Sequence, residues 1–225
     1  MPARINRTNG RGSSLTRWYE EYWAQTWYKN TFLVQYPHQI AKAKGKHGDW
    51  NNIYDSGCNF TCLAMIVGID PARLASLLSS QTYFLEDRNL PAKYLSDTKG
   101  GLVWDRNAPE EELPSVVLND VWHPRLQRRT SIAIDFVQTF STRSYAEGKR
   151  LVAMLRGRGS HIICGPEEHS HLVAGNVGAS VYVWDPDDTQ RSVEDNLAGC
   201  VTLRRLFEEN RIEPIEFWEY RVAFG

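Results

Sequence analysis

Three residues in this chain could together perform nucleophilic catalysis: Cys58, His171 and Asp185. Cys58 follows the turn-forming run Asp55-Ser56-Gly57 and opens an apolar stretch, so a helix is predicted to start near it. Unpaired backbone N–H groups at a helix N-terminus favour a thiolate and lower a cysteine pKa from its ordinary ~8.5. The same N–H groups suit an oxyanion formed on a substrate.

His171 and Asp185 lie on two runs, His171 to Gly175 and Val181 to Trp184, that flank Asn176-Val-Gly-Ala-Ser180 and read as a β-hairpin. A three-residue loop centred on Gly178 would place His171 opposite Asp185, Val173 opposite Val183 and Gly175 opposite Val181. Opposed side chains of an antiparallel pair sit about 5 Å apart on one face. A carboxylate there would hold the imidazole in one tautomer and orientation. Each residue also has a plainer reading. Asp185-Pro-Asp-Asp188 suits a turn, and His171 suits a strand-end histidine bonded to backbone. As a set, they supply a nucleophile, a base and a group that orients the base.

The elements that must position these residues are legible in outline. Leu15 to Tyr28 is predicted to be a first helix, capped by Ser14, with Leu15, Tyr19, Tyr22, Trp23 and Trp27 as its buried stripe. The helix from Cys58 buries Cys62, Met65 and Ile66 and stops at Gly68. Cys62 reads as a packing thiol. Asp70 caps a second helix with Pro71 in its first turn and Leu74, Leu77 and Leu78 on its apolar face. Residues 36–50 read as loop, and prolines at 91, 109, 114 and 124 lead us to expect loops and short helices over 82–128. Strands are predicted at 131–137, 160–164 and 215–224, and helices at 145–155 and 203–210. Helices followed by an antiparallel sheet make an α+β fold.

Cys58-Asn-Phe-Thr-Cys-Leu-Ala-Met65 resembles the active-site block of the C39-like, papain-like cysteine peptidases. That block usually reads Cys-Gly-Pro, two small residues, a large apolar residue, then Ala-Met. His171-Leu-Val-Ala-Gly175 and Val181-Tyr-Val-Trp-Asp-Pro186 resemble the family's His strand and its following Asp-Pro strand. These blocks and their surroundings span roughly a third of the chain. The resemblance implies N-terminal helices, with the nucleophile at a helix N-terminus, packed on a C-terminal antiparallel sheet. It implies Cys58 as nucleophile, His171 as general base and acid, and Asp185 as orienter.

The sequence departs from the pattern at two points. Asn59 and Phe60 replace Gly-Pro, and no Gln lies between Gln39 and Cys58 to supply the usual oxyanion donor. Asn52 holds that place by papain-like spacing, with Asn51 as a poorer substitute. Losing such a donor can cost about 3 kcal/mol of transition-state stabilisation. The implied reaction is amide hydrolysis through a thioester, with a protein or peptide as substrate. A glutamine side-chain deamidase would use the same triad, and a degenerate member would be a non-catalytic binding module. Stand-alone members of this kind include secreted bacterial effectors.

Composition bounds the remaining classes. The chain has 225 residues, 42% of them apolar, with 26 basic and 27 acidic side chains and a formal net charge of -1. That suits a single domain over 15–225 behind an Arg-rich arm at 1–14, and argues against nucleic acid as partner. Four cysteines are too few for a disulfide scaffold, and Cys58 and Cys62 are poorly spaced for a mutual disulfide. His161, Cys164, His169 and His171, with Cys58 and Cys62, offer soft metal ligands. The two cysteines lack the usual knuckle spacing, so neither a metal nor another cofactor is expected. No apolar run is long enough for a membrane span and the start has no apolar leader segment. A cytoplasmic protein is expected, or one secreted without a cleaved signal peptide.

Overall fold

A computed structural model describes residues 16–17, 19, 22–28, 58–80, 115–166, 169–187 and 200–225. The arm at 1–14, the loop expected at 36–50, Asn51, Asn52 and residues 82–114 lie outside them.

Helix α1, Cys58–Val67, begins at Cys58, and all ten of its residues are buried. Apart from Asn59 and Thr61 its residues are apolar, and it lies within the first core. It ends at Gly68, whose φ of 77° is left-handed. Gly68 N–H donates to the Ala64 carbonyl at 2.7 Å. That left-handed φ is what favours glycine at the stop, and the Arg125 guanidinium fills the space beside it. Helix α2, Pro71–Ser80, starts on its predicted cap: Asp70 Oδ1 accepts from the N–H groups of Ala72 and Arg73 at 2.9 and 3.2 Å.

Among the described residues, eight strands form one sheet in which every pair is antiparallel. They are β1 (Thr16–Arg17), β2 (Ser115–His123), β3 (Arg128–Thr142), β4 (His161–Gly165), β5 (His171–Val177), β6 (Ser180–Trp184), β7 (Cys200–Thr202) and β8 (Ile215–Phe224). The order is β2-β3-β8-β4-β5-β6-β7, and β1 pairs with β5. Helices α3 (Tyr145–Gly157) and α4 (Leu203–Glu209) interleave with the strands. Ser144 and Thr202 cap them, each accepting from an N–H three residues on.

The central strands are apolar on both faces because both are covered. Ile163, Leu172, Ala174 and Trp184 join α1 and α2 in one core. Ile162, Cys164, Val173, Val183 and Phe217 join α3 and α4 in the other. The architecture is therefore α+β, with helices ahead of a large open antiparallel sheet and two more threaded between its strands.

Two expectations are corrected. The segment from Thr16 to Tyr28 is not one helix: it opens as β1, with Thr16 opposite Asn176 and Arg17 opposite Gly175, and ends in a short 3-10 helix at Gln25–Tyr28. Tyr19, Tyr22 and Trp23 are buried as the stripe predicted, whereas Trp27 is 42% exposed. Tyrosine hydroxyls decide the path. Tyr19 OH meets His161 Nδ1 at 2.9 Å, Tyr22 OH donates to the Asp185 carbonyl at 2.6 Å, and Tyr28 OH donates to Asp70 Oδ2 at 2.7 Å. The three acceptors lie at three different elements of the fold, and the described tyrosines each reach one of them.

The second correction concerns 115–123, expected as loop or short helix and found as strand β2. Pro114 precedes the strand and Pro124 follows it, so the prolines bound the strand without interrupting its ladder. A bulge between Leu118 and Val121, with Asp120 at φ 52°, marks this edge of the sheet.

Candidate active site

The Cys58 side chain sits at the first residue of α1 and is buried. The Ser170 side chain and backbone and the Asn59 backbone lie near its sulfur. Burial pushes the Cys58 thiol above its ordinary pKa, and the nearby Asp185 charge adds to that, against the smaller opposing influence of the neighbouring Ser170 and Asn59 polar groups. This corrects the expectation of a thiol lowered by its helix position. Desolvation outweighs the N-terminal N–H groups, so the resting thiol is neutral and a base must take its proton.

His171 and Asp185 come together as the hairpin predicted, by a different register. The turn has two residues, Gly178 and Ala179, and not three: Val177 lies opposite Ser180, Asn176 opposite Val181 and Gly175 opposite Tyr182. Gly178 takes φ 52°, as a tight hairpin turn demands. A β-bulge between Val173 and Gly175 then absorbs the extra residue. Beyond it Val173 faces Val183 and Leu172 faces Trp184, the predicted pairs. His171 Nε2 and Asp185 Oδ2 are 3.7 Å apart, and both side chains are buried.

Each polar atom here has a distinct duty. Asp185 Oδ1 accepts from the Asp187 N–H at 2.8 Å, a turn across Pro186 that leaves Oδ2 for the histidine. Tyr22 holds the same residue by its carbonyl. With Nε2 facing the carboxylate, Nδ1 is the ring atom left to exchange a proton. It is buried and has no hydrogen-bond partner among the described residues.

The approach to His171 is shaped by Gly165, the last residue of β4. The chain turns back so tightly that a Cβ at Gly165 would overlap the His169 carbonyl oxygen. The turn delivers Ser170 to α1, where its carbonyl accepts from the Cys62 thiol at 3.8 Å. Cys62 is fully buried, and burial first, then the neighbouring Cys58, Cys164 and Asp185, keep it well above the ordinary thiol range. Asn59 and Phe60, the departures from Gly-Pro, have structural employment. Phe60 is core, and Asn59 is buried beside it, its Oδ1 without a hydrogen-bond partner among the described residues.

Cys58, His171 and Asp185 are thus gathered at one place, while Asn52 lies outside the described residues. Ser170 was missed by the sequence reasoning. Its only signal was adjacency to His171, and its contact with Cys62 on α1 depends on a turn formed more than a hundred residues away in the chain. Among the described residues, no group of three His, Cys, Asp or Glu side chains is placed to hold a metal ion. No helix among them is long and apolar enough to cross a membrane.

No family model matches the chain, and no curated protein or solved structure is significantly similar to it.

Proposed function

We propose that this chain is a cysteine hydrolase of amide bonds, built as one domain over 15–225 on a papain-like framework of the C39 kind. The observation that carries the reading is the polarised imidazole. His171 turns Nε2 to a buried carboxylate and keeps Nδ1 unpartnered, and its neighbour Ser170 is bonded to Cys62, one turn along α1 from Cys58.

In this reading the Cys58 thiol gives its proton to His171 Nδ1 as sulfur attacks the amide carbonyl. Asp185 steadies the imidazolium. The Cys58 backbone N–H and Asn52 hold the oxyanion. His171 then returns the proton to the departing amine, a thioester remains, and water activated by the same nitrogen releases the acid. The substrate is a protein or peptide. A glutamine side-chain deamidase would follow the same steps, and mass spectrometry separates the two: deamidation adds about one dalton to an intact chain, whereas proteolysis yields two fragments.

The test is alkylation of the native chain with iodoacetamide, each cysteine read separately by peptide mass spectrometry. H171A is expected to slow Cys58 labelling at pH 7 about tenfold or more, the lower end of a general-base contribution, with Cys62, Cys164 and Cys200 unchanged. Equal Cys58 rates in the two proteins would reject the pair and leave a binding module on the same fold.

A further inference from the structure

Asp185 lies one residue past the end of β6, whose ladder closes with Trp184 opposite Leu172 on one side and Cys200 on the other. The next residue is Pro186, which has no N–H to give. The sheet therefore leaves Asp185 outside its ladder, although the ring of His171 depends on where that carboxylate points. The Asp187 N–H on Oδ1 ties the side chain to its own turn. A bond from far away ties the turn to the rest of the molecule: the Tyr22 hydroxyl donates to the Asp185 carbonyl at 2.6 Å, across 163 residues. We propose that Tyr22 is a positioning residue of this site, its hydroxyl setting the Asp185 turn so that the carboxylate faces His171. The proposal deepens the amide-hydrolase reading and rests on it.

The surroundings make Tyr22 a stiff support. It is 3% exposed and packs edge-on against Trp184, the residue before Asp185, with ring centroids 5.8 Å apart. Tyr19 lies against the same indole at 6.3 Å. Tyr22 thus holds two successive residues, Trp184 by its ring and Asp185 by its hydroxyl. The segment that carries both tyrosines opens as β1, which pairs with β5 at Asn176 and Gly175, and β5 is the strand that begins with His171. Histidine, carboxylate and support are therefore built on one frame. The pair they serve has little slack. Oδ2 and Nε2 stand 3.7 Å apart, already longer than a hydrogen bond, so a turn drifting away from the ring would end the interaction. Displacing a group by about 1 Å can cost a reaction about a hundredfold.

The hydroxyl is separable from the packing. Tyr22→Phe keeps the ring against Trp184 and removes only the donor. It should slow Cys58 alkylation at pH 7 by about threefold or more, the scale of one net hydrogen bond. Tyr22 acts through His171, so the same substitution in an H171A chain should leave the Cys58 rate of H171A unchanged. Tyr28→Phe is the control. It also removes a hydroxyl bond from this segment, the one to Asp70 at the cap of α2, and should leave Cys58 at the parent rate.

The experiment is iodoacetamide labelling at pH 7 of the parent, Y22F, H171A, Y22F/H171A and Y28F chains, read at each cysteine by peptide mass spectrometry. The fully buried Cys62 and Cys164 report on packing. Cys58 slowed in Y22F, slowed no further in the double variant and at the parent rate in Y28F, with both reporters protected, supports the proposal. A Cys58 rate in Y22F at or above the parent's overturns it, while slowing by H171A keeps the Cys58–His171 pair. Equal slowing by Y22F with and without His171, or slowing in Y28F as well, would assign Tyr22 to packing and overturn the positioning role. Reporters that label in Y22F at the rate of the denatured chain would do the same. Equal Cys58 rates in the parent and H171A would reject the hydrolase reading and this proposal together.

Discussion

Asp185 shows how one carboxylate is made directional. Its two oxygens are divided between the backbone of Asp187 and the ring of His171, and its carbonyl is held by Tyr22. A free carboxylate would rotate; the Asp187 N–H holds Oδ1 and leaves Oδ2 on the side of the imidazole, 3.7 Å from Nε2. Cys62 is the contrasting case. It lies one turn along α1 from Cys58, it is enclosed entirely, and its neighbours suppress ionisation. It is a packing residue, so Cys62→Ala should cost about 1 to 3 kcal/mol, the transfer and cavity terms for a small buried side chain. Urea unfolding of the two proteins measures this directly. An unchanged midpoint would mean that the site collapses around alanine without loss.

At the scale of elements, the site depends on two junctions more than on the regular structure. The first is the start of α1, where helix and thiol coincide. The second is the turn from β4 into β5, which carries Ser170 and His171 to that helix. Gly165 makes the second junction possible, because any Cβ there collides with the His169 carbonyl oxygen. Gly165→Ala must open the turn, at a cost of about 1 to 3 kcal/mol typical of overpacking a tight site. The shift should also move Ser170 and His171 relative to α1. We expect the urea midpoint to fall and Cys58 labelling to change, with Cys200, on β7, unaffected. An unaltered Cys58 rate in a destabilised G165A chain would show that the turn serves folding alone.

Across the whole molecule, the strap of residues 16–28 ties distant parts together through three tyrosines. Tyr19 reaches β4, Tyr22 reaches the end of β6 and Tyr28 reaches the cap of α2. The Tyr19 contact carries a pH dependence. Burial, assisted by the Arg156 charge, lowers the His161 pKa to about 4 in the folded chain. In the unfolded chain the imidazole titrates near its ordinary value of about 6.5. Between these values the unfolded state binds a proton that the folded state refuses, so stability rises with pH across the window and is lost as pH falls from 6.5 toward 4. Above pH 6.5 the contribution is complete. Comparing the parent with His161→Gln by urea unfolding at pH 7 and pH 5 isolates it: the parent's advantage should shrink at pH 5. An advantage equal at both values would mean that His161 is not the responsible group.

Much of this protein was legible in its residues alone. Gly68 and Asp70 announce the end of one helix and the start of the next, because capping is settled within a few residues. The hairpin, the helices α3 and α4 and the closing strand β8 were equally readable, since periodicity and turn chemistry are local. The His171–Asp185 partnership was readable too, although its turn was not; a bulge restored the pairs that a different loop had displaced. Other features were decided only by the folded chain. Residues 16–28 follow hydrogen bonds to acceptors scattered through the sequence, and these override the helical spacing of their aromatics. The Cys58 thiol is pushed up and not down, because desolvation depends on everything packed over the sulfur, which no neighbouring residue reveals. Ser170 reaches Cys62 of the same helix through a turn far along the chain. Local sequence specifies which elements form, whereas burial and long-range contacts set the chemistry of the groups they carry.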